Sequence, residues 1–157
     1  MTDVLSQRKA VVAEALSWIG TPYRNGADLK GIGTDCGMLL VRVFVDTFVT
    51  RPFDPRPYPS QWHLHQYAER YLGWIETFGV RVKGPDEGRE PLPGDVVMFK
   101  YGKCYAHGAI VTEWPVVVHA MGPNNVSRIE VPKHSFMRRL PKLYYCVKGW
   151  ADESDLI

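Results

Sequence analysis

Apolar residues recur at helical spacing over residues 5–19, where Val12, Leu16 and Ile19 form one stripe that Leu5 and Ala15 widen. Gly20 follows the last periodic position and Pro22 comes just after it, a helix stop. Glycines at 20, 26, 31 and 33 predict a loop from Gly20 to Thr34, of a length that often carries function. Residues 36–48 are apolar on almost every side. Their β-branched content would suit a strand, whereas the length suits a helix surrounded by protein. Four prolines between 51 and 59 imply an extended crossing segment. Ser60 can cap a helix over 61–77 that buries Trp62, Tyr67, Tyr71 and Trp74. A Gly/Pro-rich turn region spans 84–93, and the period then changes to strands at 95–100, 104–112, 115–121, 126–131 and 143–149. Helices first and strands second predict an α+β fold with N-terminal helices packed on a C-terminal antiparallel β-sheet.

The chain has 157 residues, 45% of them apolar and 12% aromatic, which predicts one domain over 1–157 with its own core. Lys and Arg number 19 against 17 Asp and Glu, a net charge of +2, too small for a committed nucleic-acid binder. Basic residues do gather at Lys133, Arg138, Arg139, Lys142 and Lys148, but Asp152, Glu153 and Asp155 follow, so a solvated face is expected. No apolar run approaches the roughly 18–20 residues of a membrane span. The first residues lack the basic-then-apolar layout of a signal peptide, so the expectation is synthesis in the cytoplasm and export by another carrier. Three cysteines cannot all pair, and free thiols are the default without such a signal. Cys104 and Cys146 are expected to be buried thiols, with a disulfide between them as the alternative.

Cys36 is the most suggestive residue, because it falls where the glycine-rich loop ends and the buried helix begins. Thr34 or Asp35 can serve as N-cap, placing Cys36 in the first turn. The partial positive charge there favours thiolate and is expected to lower the cysteine pKa. The alternative is a small buried hydrophobe. A nucleophile needs a base, and His107 and His119 lie six residues before and six after Glu113. A hairpin centred on Glu113 would set them directly opposite one another on one sheet face, unless a bulge shifts the register. One imidazole could then take the thiol proton while the other orients it. A metal centre using Cys104, His107 and His119 is disfavoured, since positions 104 and 107 of a strand point to opposite faces. His63, His65 and His134 are expected to be structural or solvated. No phosphate-binding glycine fingerprint and no Gly-x-Ser-x-Gly elbow is present.

Five segments in order then match a known family: Gly-Thr-Pro-Tyr-Arg-Asn-Gly (20–26), Thr-Asp-Cys-Gly (34–37), Pro-Gly-Asp-Val-Val-Met-Phe (93–99), His-Gly-Ala-Ile-Val (107–111) and Val-His-Ala (118–120). Over about residues 10–122 the chain resembles the NlpC-type cell-wall cysteine peptidases. With Tyr-Pro-Ser-Gln-Trp-His-Leu-His at 58–65, it looks most like their phage-tail and gene-transfer-particle members. The resemblance implies a papain-like fold. It implies Cys36 as nucleophile, His107 as general base and His119 as the orienting third residue. It further implies that Asp35 binds a substrate amine, against a plain capping role, and that Tyr23 lines the site, against loop packing. The backbone N–H of Cys36 would help to bind the oxyanion.

The implied activity is hydrolysis of an amide in the peptidoglycan stem peptide, between D-glutamate and the diamino acid, with no cofactor and no metal. The implied partners are that peptide and tail proteins of a phage or gene-transfer particle. Two departures stand out. Gly37 and Met38 follow the cysteine where the family has Ser then Gly, which bears on groove shape more than on chemistry, and Arg24-Asn25-Gly26 replaces a glycine pair. The rival readings are a tail component without turnover, a papain-like acyltransferase and, more weakly, a metal-binding module.

Overall fold

The computed structural model describes residues 3–59 and 69–157. The first half of the helix expected over 61–77, with Ser60, Trp62, His63, His65 and Tyr67, lies outside the described residues.

Helix α1 spans Val4–Ser17, with the Asp3 side chain accepting from the Ser6 N–H as its N-cap. Its buried face is not the expected stripe: Arg8, Val11, Ala15 and Trp18 point inward, while Leu5 and Ile19 are exposed and Val12 and Leu16 half-buried. The misreading has a physical source. Arg8 is buried because Asp95 pairs with its guanidinium at 2.8 Å and Trp150 stacks on it at 4.5 Å. A pattern that counts arginine as surface therefore turns the helix one position too far.

A two-residue hairpin, β1 (Asp28–Leu29) with β2 (Gly33–Thr34), lies inside the expected loop. It brings the chain back to helix α2, Cys36–Asp46, whose Gly37 to Val41 and Val43 to Val45 are buried. The segment with both helix and strand character is thus a helix. Its β-branched residues are tolerated because tertiary burial outweighs their small propensity cost. Residues 51–59 form neither helix nor strand. Helix α3 covers Arg70–Glu76, with Tyr71 and Ile75 buried and Trp74 half-buried.

The strands are β3 (Gly79–Val82), β4 (Val96–Tyr101), β5 (Cys104–Glu113), β6 (Val116–His119), β7 (Ser127–Glu130) and β8 (Lys142–Val147). They form an antiparallel sheet in the order β3-β8-β4-β5-β6-β7. Five of the six follow the sequence reading closely. Strand β3 did not, because Gly-Val-Arg-Val is too short to show a period.

Helices cover one sheet face, where Val11, Leu40, Phe44 and Ile75 pack on Val96, Met98, Ile110 and Val118. Short 3₁₀ turns at Val131–Lys133 and Met137–Arg139 cover part of the other, over Val97, Phe99, Ala109 and Val111. The architecture is α+β, with helices preceding most of the sheet. No helix of the described residues is long and apolar enough to cross a membrane.

Candidate active site

The N-terminus of α2 is fixed by Asp35. One carboxylate oxygen accepts from the Met38 N–H at 2.8 Å, and the other accepts from the Gly26 N–H at 2.7 Å and the Tyr58 hydroxyl at 2.5 Å. Asp35, not Thr34, is therefore the cap. Among the described residues, two amides and a phenol, and no cation, satisfy the carboxylate. Cys36 then occupies the first helical position, half-buried.

Its thiol lies against the backbone of β5. The Sγ donates to the Ala106 carbonyl at 3.7 Å, and the Gly108 N–H favours its ionised form, so it sits against the chain on both sides of His107. Two features of the sheet make room. Phe99 opposes His107 and Lys100 opposes Tyr105, leaving Ala106 as an extra, bulged residue. Val111 bonds to Gly94 and Asp95 on the β4 side. By alternation, Gly108 turns its N–H toward β6, whose ladder with β5 runs only as far as the Ile110–Val118 pair. The thiol thus lies beside an amide that the β5–β6 ladder leaves unpaired. Position 108 has to be glycine: a Cβ there would sit 2.9 Å from the Tyr71 hydroxyl and 3.1 Å from both Leu40 and Met98.

The two histidines meet, but not in the expected register. Ile110 pairs with Val118 and Val111 with Val117, so the hairpin is centred on Trp114 rather than Glu113. The turn lies later than expected, with Glu113 paired to Val116, and the bulge that leaves Thr112 out of the pairing draws the rest of the ladder back by one. Moving the centre by one residue moves each partner by two, which preserves the face. His107 and His119 are therefore diagonal neighbours, both buried, with His107 Nε2 3.0 Å from His119 Nδ1 and the rings edge-on.

His134, expected to be solvated, lies beside them. Its ring centroid is 6.3 Å from that of His119, and its Nδ1 accepts from the Phe136 and Met137 amides. A cleft of about 530 Å³ opens beside His119 and His134, walled in part by Met121, Asn124 and Asn125.

The electrostatics overturn one expectation. Burial, with the Asp35 carboxylate second, pushes the Cys36 thiol up to about 12, outweighing the helix terminus that was expected to lower it. Burial, followed by His119 and His134, pushes His107 well below the ordinary imidazole range. Burial, followed by His134, pushes His119 down to about 4. At neutral pH the resting pair is a neutral thiol and a neutral imidazole, not an ion pair.

Tyr23 is bridged to Thr34, is half-buried, and its ring would meet a Cβ on Gly122 at 3.0 Å. Burial and then the neighbouring Cys36 and Asp35 raise its phenol. Tyr58 and Tyr71 were not singled out as site residues. Tyr58 stacks near Trp74 at 5.0 Å and reaches Asp35, while Tyr71 donates to the Cys36 carbonyl at 2.7 Å. Nothing local marks them, since both arrive from segments distant in sequence. Met38 does not shape a groove: it is buried with Val41 and Val45 beneath Phe53 and Tyr58. Cys104 and Cys146 are buried and free. No group of three or more His, Cys, Asp or Glu among the described residues is placed to hold a metal.

No family model and no curated protein matches the chain. Solved structures do. The NlpC/p60 domain of the peptidoglycan hydrolase SagA superposes with a TM-score of 0.59 at 21% identity, covering 87% of this chain and 96% of that one. NlpC1 from Trichomonas vaginalis gives 0.64 at 13% identity, covering 94% of this chain. An NLP/P60-family protein similar to a lipoprotein, from Staphylococcus aureus, gives 0.56 at 20% identity, covering 93%. This chain spans 46% and 42% of the last two. A helix that begins at Cys36 and a sheet that carries His107 and His119 are thus set in the fold of an NlpC/p60 domain.

Proposed function

We propose that the protein is a cysteine peptidase that hydrolyses an amide bond of the peptidoglycan stem peptide, the one joining D-glutamate to the diamino acid. The observation that carries the reading is the seat of the Cys36 thiol on the backbone flanking His107, with His107 held by His119 at 3.0 Å. The substrate class is supported by the fold shared with a peptidoglycan hydrolase domain. The particular bond, and a place on a phage or gene-transfer-particle tail, are supported by the sequence resemblance.

His107 Nε2 is engaged by His119, which leaves Nδ1 for the thiol proton. A neutral His107 then carries its hydrogen on Nε2 and donates it to His119 Nδ1. Sulfur attacks the carbonyl carbon while its proton passes to His107 Nδ1. The tetrahedral oxyanion is met by backbone N–H groups at the start of α2. The carbon–nitrogen bond breaks, and the departing nitrogen takes the proton from His107. Water then adds to the thioester, gives a proton to His107, and the carbon–sulfur bond breaks to return the thiol. His119 keeps His107 in the required tautomer. By the sequence resemblance, Asp35 takes a substrate amine and Tyr23 lines the site. A substrate ammonium drawn to Asp35 would offset the negative field that holds the thiol protonated.

The test is digestion of purified diaminopimelate-type peptidoglycan by wild type and by Cys36→Ala, with fragments identified by mass spectrometry. Release of stem-peptide fragments by wild type alone supports the reading and names the bond. Fragments from neither protein overturn it in favour of a tail component without turnover.

A further inference from the structure

The Tyr71 hydroxyl has one hydrogen and lies against the residue that carries the sulfur. At rest it donates to the Cys36 carbonyl at 2.7 Å. It also interacts with the Cys36 thiol in the sense that favours the ionised sulfur. The ring is 2% exposed and packs against Trp74 at 5.3 Å, so the hydroxyl cannot swing out to solvent. The glycine at 108 is part of the same construction, because a Cβ there would come within 2.9 Å of the Tyr71 oxygen. The backbone amides of Gly108 and Gly37 act on the sulfur in the same sense. A thiolate buried at this position needs more than one donor.

We infer that Tyr71 is the side-chain donor to the attacking sulfur, its O–H turning from the Cys36 carbonyl to Sγ as the thiol proton leaves for His107. The step moves a hydrogen bond, not a proton. The thiol hydrogen goes to His107, and the phenol hydrogen stays on Tyr71. Burial, with Cys36 and Asp35 adding to it, holds the phenol well above its ordinary range, so it remains a donor at every pH at which the thiol ionises readily. Tyr71 thereby counters part of the penalty that burial and Asp35 impose on the thiolate. This role rests on Cys36 being the nucleophile, although its primary readout needs no peptidoglycan.

The experiment is the pH profile of Cys36 alkylation by iodoacetamide, followed by peptide mapping so that Cys104 and Cys146 are counted apart, in wild type and Tyr71→Phe. The expected result is a profile moved to higher pH, with alkylation at about pH 8 slowed about tenfold, the equivalent of roughly one pKa unit. On peptidoglycan the same variant should lose kcat with little change in KM. A second variant, 3-fluorotyrosine at position 71, keeps the ring and the fold but makes the phenol a stronger donor, and should move the profile to lower pH. Unchanged profiles in both variants overturn the inference and leave Tyr71 a packing residue. Shifted profiles without peptidoglycan turnover uphold Tyr71 while rejecting the proposed hydrolase activity.

Discussion

Two aspartates lie at the starts of two elements, both buried, and the fold treats them in opposite ways. Asp95, at the head of β4, meets Arg8 and Arg89 at 2.8 Å each and accepts the Leu92 N–H. Asp35, at the head of α2, meets two amides and a phenol. The first negative charge is cancelled by cations and clamps α1, the turn before β4 and, through Arg89 to Asp155 at 3.2 Å, the C-terminal turn. The second, among the described residues, is solvated by dipoles alone. Its field reaches Cys36, Tyr23, Tyr58 and Tyr71, and it raises the pKa of each. Where a buried charge is paired, the protein gains a fixed joint. Where it is only hydrogen-bonded, the protein gains a local potential that acts on neighbouring groups.

Separate substitutions should pull these two functions apart. Cys36→Ala, on the dipole-solvated side, is expected to remove at least roughly 10³-fold of hydrolytic rate on peptidoglycan while the melting temperature stays at the wild-type value. Asp95→Ala should do the reverse. It strands two buried guanidinium groups, and the unfolding free energy in urea should fall by about 3–5 kcal/mol. An Asp95→Ala protein with unaltered stability would show that the paired cluster holds nothing together.

Acid should also distinguish the regions. His119 is pushed from 6.5 down to about 4, so below pH 6.5 the unfolded chain takes up a proton that the folded chain refuses. Stability is fully present above pH 6.5 and declines as pH falls toward 4, with His107 adding in the same direction. The loss between neutral pH and about pH 4.5 should approach 2–3 kcal/mol by denaturant titration. Much of it should vanish in a His119→Gln background. The arginines of the Asp95 cluster stay charged throughout this range.

The smallest effect is expected from Asp35→Asn, which removes the charge and keeps much of the cap. It should cost about 1 kcal/mol of stability. Because the carboxylate raises the thiol pKa, its removal should speed Cys36 alkylation at neutral pH several-fold. A slowed reaction would mean that cap geometry, not charge, sets the thiol.

Much of this was legible before any fold was known, and the failures are instructive. The placement of Cys36 at a helix start followed from glycine-loop and capping rules, and α2 begins at that residue. The facing of His107 and His119 survived a wrong register, because an error of two along a strand returns to the same side. The α1 face failed because Arg8 is buried by partners far along the chain, at Asp95 and Trp150. The direction of the Cys36 pKa failed because a helix-terminus argument counts only local dipoles, whereas burial and Asp35 dominate. The place of His134 was not legible, because its basic surroundings in sequence say nothing of the Phe136 and Met137 amides that hold its ring beside His119.

What the sequence determined by itself was periodic and local: the order of most helices and strands, a cap at Thr34 or Asp35, the cysteine in a first turn and two histidines sharing a sheet face. These depend on spacings of two, three or four residues, which the chain carries wherever it folds. The tertiary structure alone decided the rest. It set the bulge at Ala106 and the seat of the thiol on the strand beside His107, brought Tyr58 and Tyr71 to Asp35 and Cys36, and kept the resting pair neutral. Each of these depends on which distant segments exclude water from the site, and desolvation is a property of the packed whole.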